Sequence, residues 1–346
     1  MNGLLRQIAY PLFVSIICAG MLLGCSQPKA PQSSIKLAQH GLLSANLSPR
    51  GDLLFTGSFQ HGGALWKQNS QARIFDWNHS DEGYSAYITA DFSEDGRYLA
   101  ATDGRAVIVW DTNAGNAKLF LESPAQSLGI QNSRAIWQNA DGESEAYWRK
   151  PARIVDLAFS KQYLLLGLEN QIALLVSMED QSIIGALGHD DVLTHVAMND
   201  EATIAVTGTR KGLIKIWSLQ DGSVTREHQY SSPISFLHIS GSGSHVIVSA
   251  SQGPVTLLNP DQALADLVIF KGNPGVIAAH FSRDDKLLLG SSRELIWQAD
   301  ISTGEIQNTW QVPKEGPWHK AAILAVHESA GSVQAISSDG VAYKLN

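Results

Sequence analysis

Two stretches of the sequence carry side chains of the types that bind metal ions. His189-Asp190-Asp191 lies close to His195, and imidazole and carboxylate groups are common protein ligands of zinc. The run Asn139–Glu145 alternates oxygen-bearing side chains, as calcium loops do, but it lacks the remaining ligands of such a loop. We therefore expect the second run to be a solvated acidic turn.

His79, Asp81 and Glu82 form another acidic loop, which also lacks a full set of metal ligands. Motifs for other kinds of chemistry are missing from the sequence. There is no Gly-x-Ser-x-Gly nucleophile turn and no phosphate loop, and the two cysteines, Cys18 and Cys25, form no zinc or haem motif. No catalytic residue, cofactor or metal is predicted. The formal charge of −8, without basic clusters, argues against binding to nucleic acid.

A repeated pattern accounts for most of the chain. Gly188-His189, Thr207-Gly208 and Trp217 mark its best copy, which ends at Ser218. A tight turn between two apolar runs recurs at Ser48, Ser93, Ser160, Asn199, Ser240, Ser282 and Glu328. Successive turns are about 40–45 residues apart, the usual length of a propeller blade, except for one longer step between Ser93 and Ser160.

The best copy resembles a WD repeat, and the resemblance implies an all-β, seven-bladed WD-repeat-like β-propeller. The family's side-chain network of His, Thr and Trp is matched by His189, Thr207 and Trp217. The Asp that the family places in the next tight turn is Lys211 here. In this reading His189 belongs to the repeat rather than to a metal site. The last blade is one strand short, so we expect Ile35–Ala38 to complete it by pairing with Val341–Leu345.

The first 25 residues differ from the rest of the chain. A basic start and an apolar run lead to Leu22-Leu23-Gly24-Cys25, which resembles the lipobox of bacterial lipoproteins. The resemblance implies that residues 1–24 are a signal peptide, cleaved between Gly24 and Cys25, and that Cys25 is lipidated. An uncleaved membrane anchor or an ordinary secretory signal is the alternative. Residues 25–34 would then be a flexible tether, and residues 35–346 the propeller.

An insertion of about 25 residues, at 122–150, accounts for the longer step. Exposed aromatic and Arg side chains are typical of binding surfaces, so we expect a partner to bind this insertion and the inter-blade loops beside it. The candidate residues are Trp77, Tyr84, Trp137, Tyr147, Trp148, Arg149, Trp318 and His319. Alternatively, Trp137 and Trp148 pack on each other as a lid that plugs the central channel.

These features predict a lipid-anchored propeller in the cell envelope, held at the outer membrane and facing the periplasm. It would be a non-catalytic scaffold for an unknown protein or peptide partner, with a role in envelope assembly or maintenance. The alternative is a propeller enzyme or small-ligand binder, similar to the propeller hydrolases and lactonases, with its site at the channel mouth. Asp91, Asp156 and His280 are the side chains that could then point inward.

Overall fold

The computed structural model describes most of the chain after residue 26. The described ranges are 27–68, 72–78, 83–122, 134–139, 142–147, 152–261, 264–282, 284–313, 321–329 and 331–346. Within them every regular element is a β-strand, and no helix is long and apolar enough to cross a membrane.

The described strands form seven four-stranded antiparallel sheets and one separate hairpin. The sheets, called blades one to seven in chain order, run outward from the central channel. Blade one consists of β2 (Leu42–Leu47), β3 (Leu53–Ser58), β4 (Gly62–Lys67) and β5 (Ala72–Trp77), and blade two of β6 (Thr89–Phe92), β7 (Tyr98–Thr102), β8 (Ala106–Asp111) and β9 (Ala117–Glu122). Blade three consists of β12 (Ile154–Ser160), β13 (Tyr163–Leu168), β14 (Ile172–Ser177) and β15 (Ile183–Gly188), blade four of β16 (Leu193–Met198), β17 (Ile204–Thr209), β18 (Leu213–Ser218) and β19 (Val224–Gln229), and blade five of β20 (Ile234–Ile239), β21 (Val246–Ala250), β22 (Val255–Leu258) and β23 (Leu267–Phe270). Blade six consists of β24 (Val276–Phe281), β25 (Lys286–Ser291), β26 (Leu295–Asp300) and β27 (Ile306–Gln311), and blade seven of β28 (Ile323–Ser329), β29 (Ser332–Ser337), β30 (Val341–Leu345) and β1 (Ser33–Lys36). The prediction of a seven-bladed propeller is confirmed.

Turn chemistry explains where the strands of a blade begin and end. Between β7 and β8, the carboxylate of Asp103 accepts hydrogen bonds from the backbone nitrogens of Arg105 and Ala106, at 2.8 and 3.0 Å. Gly104, which follows Asp103, has a φ of 90°, a backbone conformation that costs little free energy only for glycine. An Asp-Gly pair therefore closes this hairpin, as its sequence predicts.

Neighbouring blades pack on each other through apolar faces, and aromatic rings fill the seam between blades one and two. Trp77 stacks on Trp110 with 4.8 Å between ring centroids and 5° between planes. Tyr87 meets Trp110 edge-on at 5.5 Å, and Phe55 meets Tyr87 at 5.9 Å. All four side chains are buried. This aromatic block therefore joins blades one and two.

In blade four the polar network forms around Thr207. The hydroxyl of Thr207 lies 2.5 Å from Nε2 of His189 and accepts a hydrogen bond from Nε1 of Trp217 at 2.8 Å. The missing turn Asp is replaced from the preceding loop, because the carboxylate of Asp191 accepts the backbone N–H of Lys211 at 2.6 Å. Burial lowers the pKa of His189 to about 4, so the ring is neutral at pH 7.

The ring is closed by the N-terminal strand, as the sequence predicts, with a shift in its bounds. β1 pairs antiparallel with β30, and Ser33 lies opposite Lys344 while Lys36 lies opposite Val341. The strand is therefore Ser33–Lys36 and not Ile35–Ala38. Leu37 and Ala38 lie just after it, and both donate backbone hydrogen bonds to the carbonyl oxygen of Gly340, at 2.9 and 3.2 Å.

Part of the insertion forms a hairpin outside the blades. β10 (Arg134–Asn139) pairs antiparallel with β11 (Gly142–Tyr147). The backbone of β10 lies beside β15, the outermost strand of blade three. The hairpin is thus at the rim of the propeller, whereas a lid over the channel would lie beside the innermost strands.

Candidate functional site

The innermost strand of each blade lines a central channel with a volume of about 1590 Å³. Six of these strands contain a β-bulge at the same place, one residue after their start; β6 of blade two is the exception. A bulge changes which side chains point to which face. The repeated bulge therefore places residues of these six blades in comparable positions along the channel wall.

Asp91 and Asp156, two candidates for channel chemistry, connect neighbouring blades. The carboxylate of Asp91 accepts the backbone N–H groups of Phe159, in blade three, and of Phe92, at 2.9 and 3.0 Å. That of Asp156 accepts the N–H of Val196, in blade four, at 3.0 Å. Burial raises the pKa of both carboxyls to about 7, against the opposing effect of these hydrogen bonds. Both side chains are thus engaged in holding blades together.

Three histidines occupy equivalent positions in blades five, six and seven. His238, His280 and His327 lie opposite Ile247, Leu288 and Gln334 of the adjoining strands, which is the same register in each blade. The rings of His280 and His327 are 4.2 Å apart between centroids. Burial lowers the pKa of His238 and His327 to about 4 and that of His280 to about 3. This histidine row therefore presents neutral imidazoles to the channel at pH 7.

The side chains that resemble metal ligands in the sequence are separated in the fold. His189 belongs to the Thr207 network, Asp191 accepts the N–H of Lys211, and His195 lines the channel. Over the part of the chain that the structure describes, no three His, Cys, Asp or Glu side chains are grouped so that they could hold a metal ion. His79, Asp81 and Glu82 lie outside the described residues, as does part of the run Asn139–Glu145.

A cluster of exposed rings lies on the face formed by the inter-blade loops and the turns between the second and third strands. We call the neighbouring rings of His40, His61 and Tyr84, together with Phe59 of the turn that carries His61, the aromatic patch. His61 is 5.1 Å from His40 and 5.9 Å from Tyr84, between ring centroids. Phe59 is 67% exposed and Tyr84 is 58% exposed, the two highest fractions among the large apolar side chains described. The arrangement leaves aromatic surface open to a partner.

The backbone that carries the aromatic patch is ordered by local hydrogen bonds. Asn78 accepts the backbone N–H of Ser85 at 2.6 Å and donates to the carbonyl oxygen of Gly83 at 2.7 Å, so it clamps the loop that holds Tyr84. Gly62 ends the turn after Phe59 and His61 with a φ of 67°; a Cβ there would lie 2.9 Å from the carbonyl oxygen of Trp77. The patch is therefore presented by a fixed backbone.

The predicted partner-binding residues fall into four groups. Tyr84 is exposed, as expected of a contact residue. The placement of Trp77 in an exposed loop is wrong: this residue ends β5, is 4% exposed, and donates from Nε1 to the carbonyl oxygen of Gly115 at 3.0 Å. Trp137 and Tyr147 lie on the hairpin strands. Trp148, Arg149, Trp318 and His319, like Gly24 and Cys25, lie outside the described residues.

Three members of the aromatic patch were not predicted from the sequence. The signal was present at Phe59, an apolar residue in the short turn Ser58–Gly62, where a side chain has no neighbouring strand to cover it. His40 and His61 gave no such signal. Their proximity follows from the pairing of β2 with β3, which sets Leu42 opposite Ser58 and so brings the loop before β2 next to the turn after β3.

Comparison with known proteins agrees with the fold. The sequence matches no protein-family model. It is similar to the nuclear distribution protein nudF of Aspergillus niger, a WD-repeat protein, with 29% identity over 225 residues. The matched region is 59% of this chain and 50% of the relative, so the chain spans about half the length of that protein. With the seven blades, this similarity supports a WD-repeat-like propeller of the kind that serves as a scaffold for protein interactions.

Proposed function

We propose that this propeller is a lipid-anchored scaffold of the cell envelope that binds a protein or peptide partner through the aromatic patch. The carrying observation is the exposure of Phe59 and Tyr84 on ordered turns of one face. Aromatic side chains that are already held in place lose little conformational entropy on binding, which is why they are frequent binding hot spots.

The position of the insertion supports the same face. The chain leaves blade two at Glu122 and enters blade three at Ile154, so the insertion begins and ends one blade away from the loop that carries Tyr84. Trp137 and Tyr147, on the hairpin, were candidates for binding on sequence grounds. We infer that the partner contacts the aromatic patch first and extends towards the insertion.

The anchoring part of the proposal rests on the resemblance of Leu22–Cys25 to a lipobox. A diacylglycerol on Cys25 would hold the protein at a membrane. In well-studied bacteria, an Asp directly after the lipidated Cys retains such proteins at the inner membrane, and this position is Ser26 here. We therefore propose the outer membrane, with the propeller in the periplasm. Cys25→Ser should release the protein into the soluble fraction; a variant that stays with the membrane would contradict the anchor.

The test of partner binding is crosslinking in intact cells followed by purification of the propeller. The double variant Phe59→Ala/Tyr84→Ala should fold normally, because both side chains are exposed, and should lose proteins that the wild type captures. Val224→Ala/Val268→Ala is the matched control, since these residues are 39% and 55% exposed on the outer strands β19 and β23. Equal capture by all three proteins would refute the choice of surface.

A small ligand in the channel is the second candidate function. Nε2 of His327 is buried without a hydrogen-bond partner, beside the ring of His280. An unsatisfied buried nitrogen on a channel wall is a possible donor or acceptor for a bound molecule. Against an enzyme of the hydrolase type, the two carboxylates predicted to act there, Asp91 and Asp156, already accept backbone hydrogen bonds. Calorimetric titration with candidate ligands, comparing wild type with His327→Leu, would test this function.

A further inference from the structure

The N-terminal segment lies on the edge of blade six before it enters blade seven. The backbone N–H of Lys29 donates to the carbonyl oxygen of Thr309 at 2.8 Å, and that of Gln311 donates to the carbonyl oxygen of Lys29 at 3.0 Å. Nζ of Lys29 donates to Oδ1 of Asn308 at 2.6 Å. Further on, Gln32 donates to the carbonyl oxygen of Lys344 at 2.8 Å. The segment predicted to be a tether is thus bound to the propeller from Lys29 onward.

This attachment limits how far the propeller can lie from an anchor at Cys25. Three residues lie between Cys25 and Lys29, so four steps of the chain join them, and an extended chain spans at most about 3.6 Å per step. The backbone of Lys29 therefore lies within about 14 Å of a lipidated Cys25. Because Lys29 is paired with β27, the same limit applies to the outer edge of blade six.

The charges at this edge fit a membrane surface. Lys29, Lys36 and Lys344 are exposed there, and neither β27 nor β1 contains an Asp or Glu. Glu305 is the nearest carboxylate along the chain and lies in the turn before β27. The whole chain, by contrast, carries a net charge of −8. Lysines near a bilayer are attracted to anionic lipid headgroups.

We infer that the edge formed by β27 and β1 is the membrane-facing side of the propeller and contacts anionic lipid headgroups. The inference rests on the proposed lipidation of Cys25 and adds an orientation to it. In a ring of seven blades, the seam between blades two and three lies opposite blade six. The insertion at that seam therefore projects away from the membrane, where a partner can reach it.

The orientation can be measured by fluorescence quenching in the full-length, lipidated protein. Single cysteines are introduced at Gln307 of β27 or at Lys118 of β9, which is exposed at the matching position of blade two. Each is labelled with a fluorophore, and the protein is reconstituted in vesicles of phosphatidylethanolamine and phosphatidylglycerol that contain a headgroup-nitroxide lipid. We expect the nitroxide lipid to quench the fluorophore at position 307. Quenching of the fluorophore at position 118 should not exceed that of the same protein in detergent. Equal quenching would overturn the orientation.

The Lys29 attachment is tested in the same assay. Lys29→Pro removes the N–H that donates to Thr309, so the segment should detach and quenching at position 307 should fall. Lys29→Arg keeps the backbone hydrogen bonds and the charge, so quenching at position 307 should be the same as with Lys29. Mass spectrometry of Cys25 separates the two proposals: a chain without lipid overturns both, whereas a lipidated chain with equal quenching at both positions overturns only the orientation.

Discussion

The carboxylate of Asp91, in blade two, accepts a hydrogen bond from the backbone nitrogen of Phe159, in blade three, at 2.9 Å. Asp156 repeats this relationship one blade further on, with the backbone nitrogen of Val196 at 3.0 Å. Side chains thus join the innermost strands of three successive blades, where no β-ladder connects one sheet to the next. These bonds give the channel carboxylates a structural role.

Removing either carboxylate should destabilise the propeller. In Asp91→Ala and Asp156→Ala, two backbone N–H groups lose their acceptor, and an unsatisfied buried group costs about 1–3 kcal/mol. Denaturation with urea should show this loss in each variant. Asp284→Ala is the control, because Asp284 is an exposed carboxylate in the turn after β24 of blade six. A loss of the same size in the control would contradict the structural role.

Acid should destabilise the protein through its buried histidines. The pKa of His327 is lowered to about 4, so between pH 6.5 and 4 the folded state binds fewer protons than the unfolded state. Stability then falls as the pH falls, by up to about 1.4 kcal/mol per pH unit for one such group. The raised pKa values of Asp91 and Asp156 act in the opposite direction between about pH 4 and 7. Seven histidines have lowered pKa values, five of them lowered to about 3 or 4, so their effect dominates.

The variant that isolates this effect is His327→Leu. Its melting temperature should depend less on pH between 6.5 and 4 than that of the wild type, because one group that must gain a proton on unfolding has been removed. His40→Leu changes an exposed histidine and serves as the control. If His327→Leu keeps the full slope, the ring is not held neutral by burial.

The Thr207 network should contribute more stability than its counterpart in blade one. Thr207→Val leaves both Nε2 of His189 and Nε1 of Trp217 without their partner in a buried site, which should cost about 2–4 kcal/mol. Thr56→Val removes a single bond, from Nε1 of Trp66, which is half-buried and can turn to water. Thermal unfolding of the two variants compares them. If both variants lose the same stability, the contact between His189 and the hydroxyl of Thr207 does not stabilise the protein.

Deletion of residues 33–39 should lower the melting temperature sharply, because it removes β1 and the two bonds to Gly340 and exposes the edge of β30. Deletion of residues 27–30 is the matched control, since it removes only the Lys29 pairing with blade six. An unchanged melting curve for the first deletion would contradict closure by this strand.

Local features of the sequence predict the parts of the fold that depend on local chemistry. The residue types of Asp103-Gly104 predict a hairpin turn, and these two residues form the turn between β7 and β8. The closing strand was predicted from the missing fourth strand of the last blade, but its bounds differ by two residues. An edge strand is placed by its partner, here β30, and the pairing of Ser33 with Lys344 cannot be read from residues 33–38 alone.

Long-range contacts explain what the sequence did not predict. Trp77 was placed in an inter-blade loop from the register of the repeat, yet its burial depends on Trp110 and Gly115 in the next blade. Asp91 and Asp156 were candidates for chemistry because their side chains could point into the channel. Their role is visible only once Phe159 and Val196 are next to them. Asp191 likewise substitutes for the missing turn Asp across the start of blade four.

Closure by β1 also bears on how the chain folds. Ser33–Lys36 and Val341–Leu345 are about 300 residues apart in sequence, and contacts at such separations are slow to form because a long loop must close first. Blades one to six can each form from consecutive residues, whereas blade seven needs both ends of the chain. During synthesis the ring therefore stays open until β30 has been made, and β1, which is made first, has no partner strand until then.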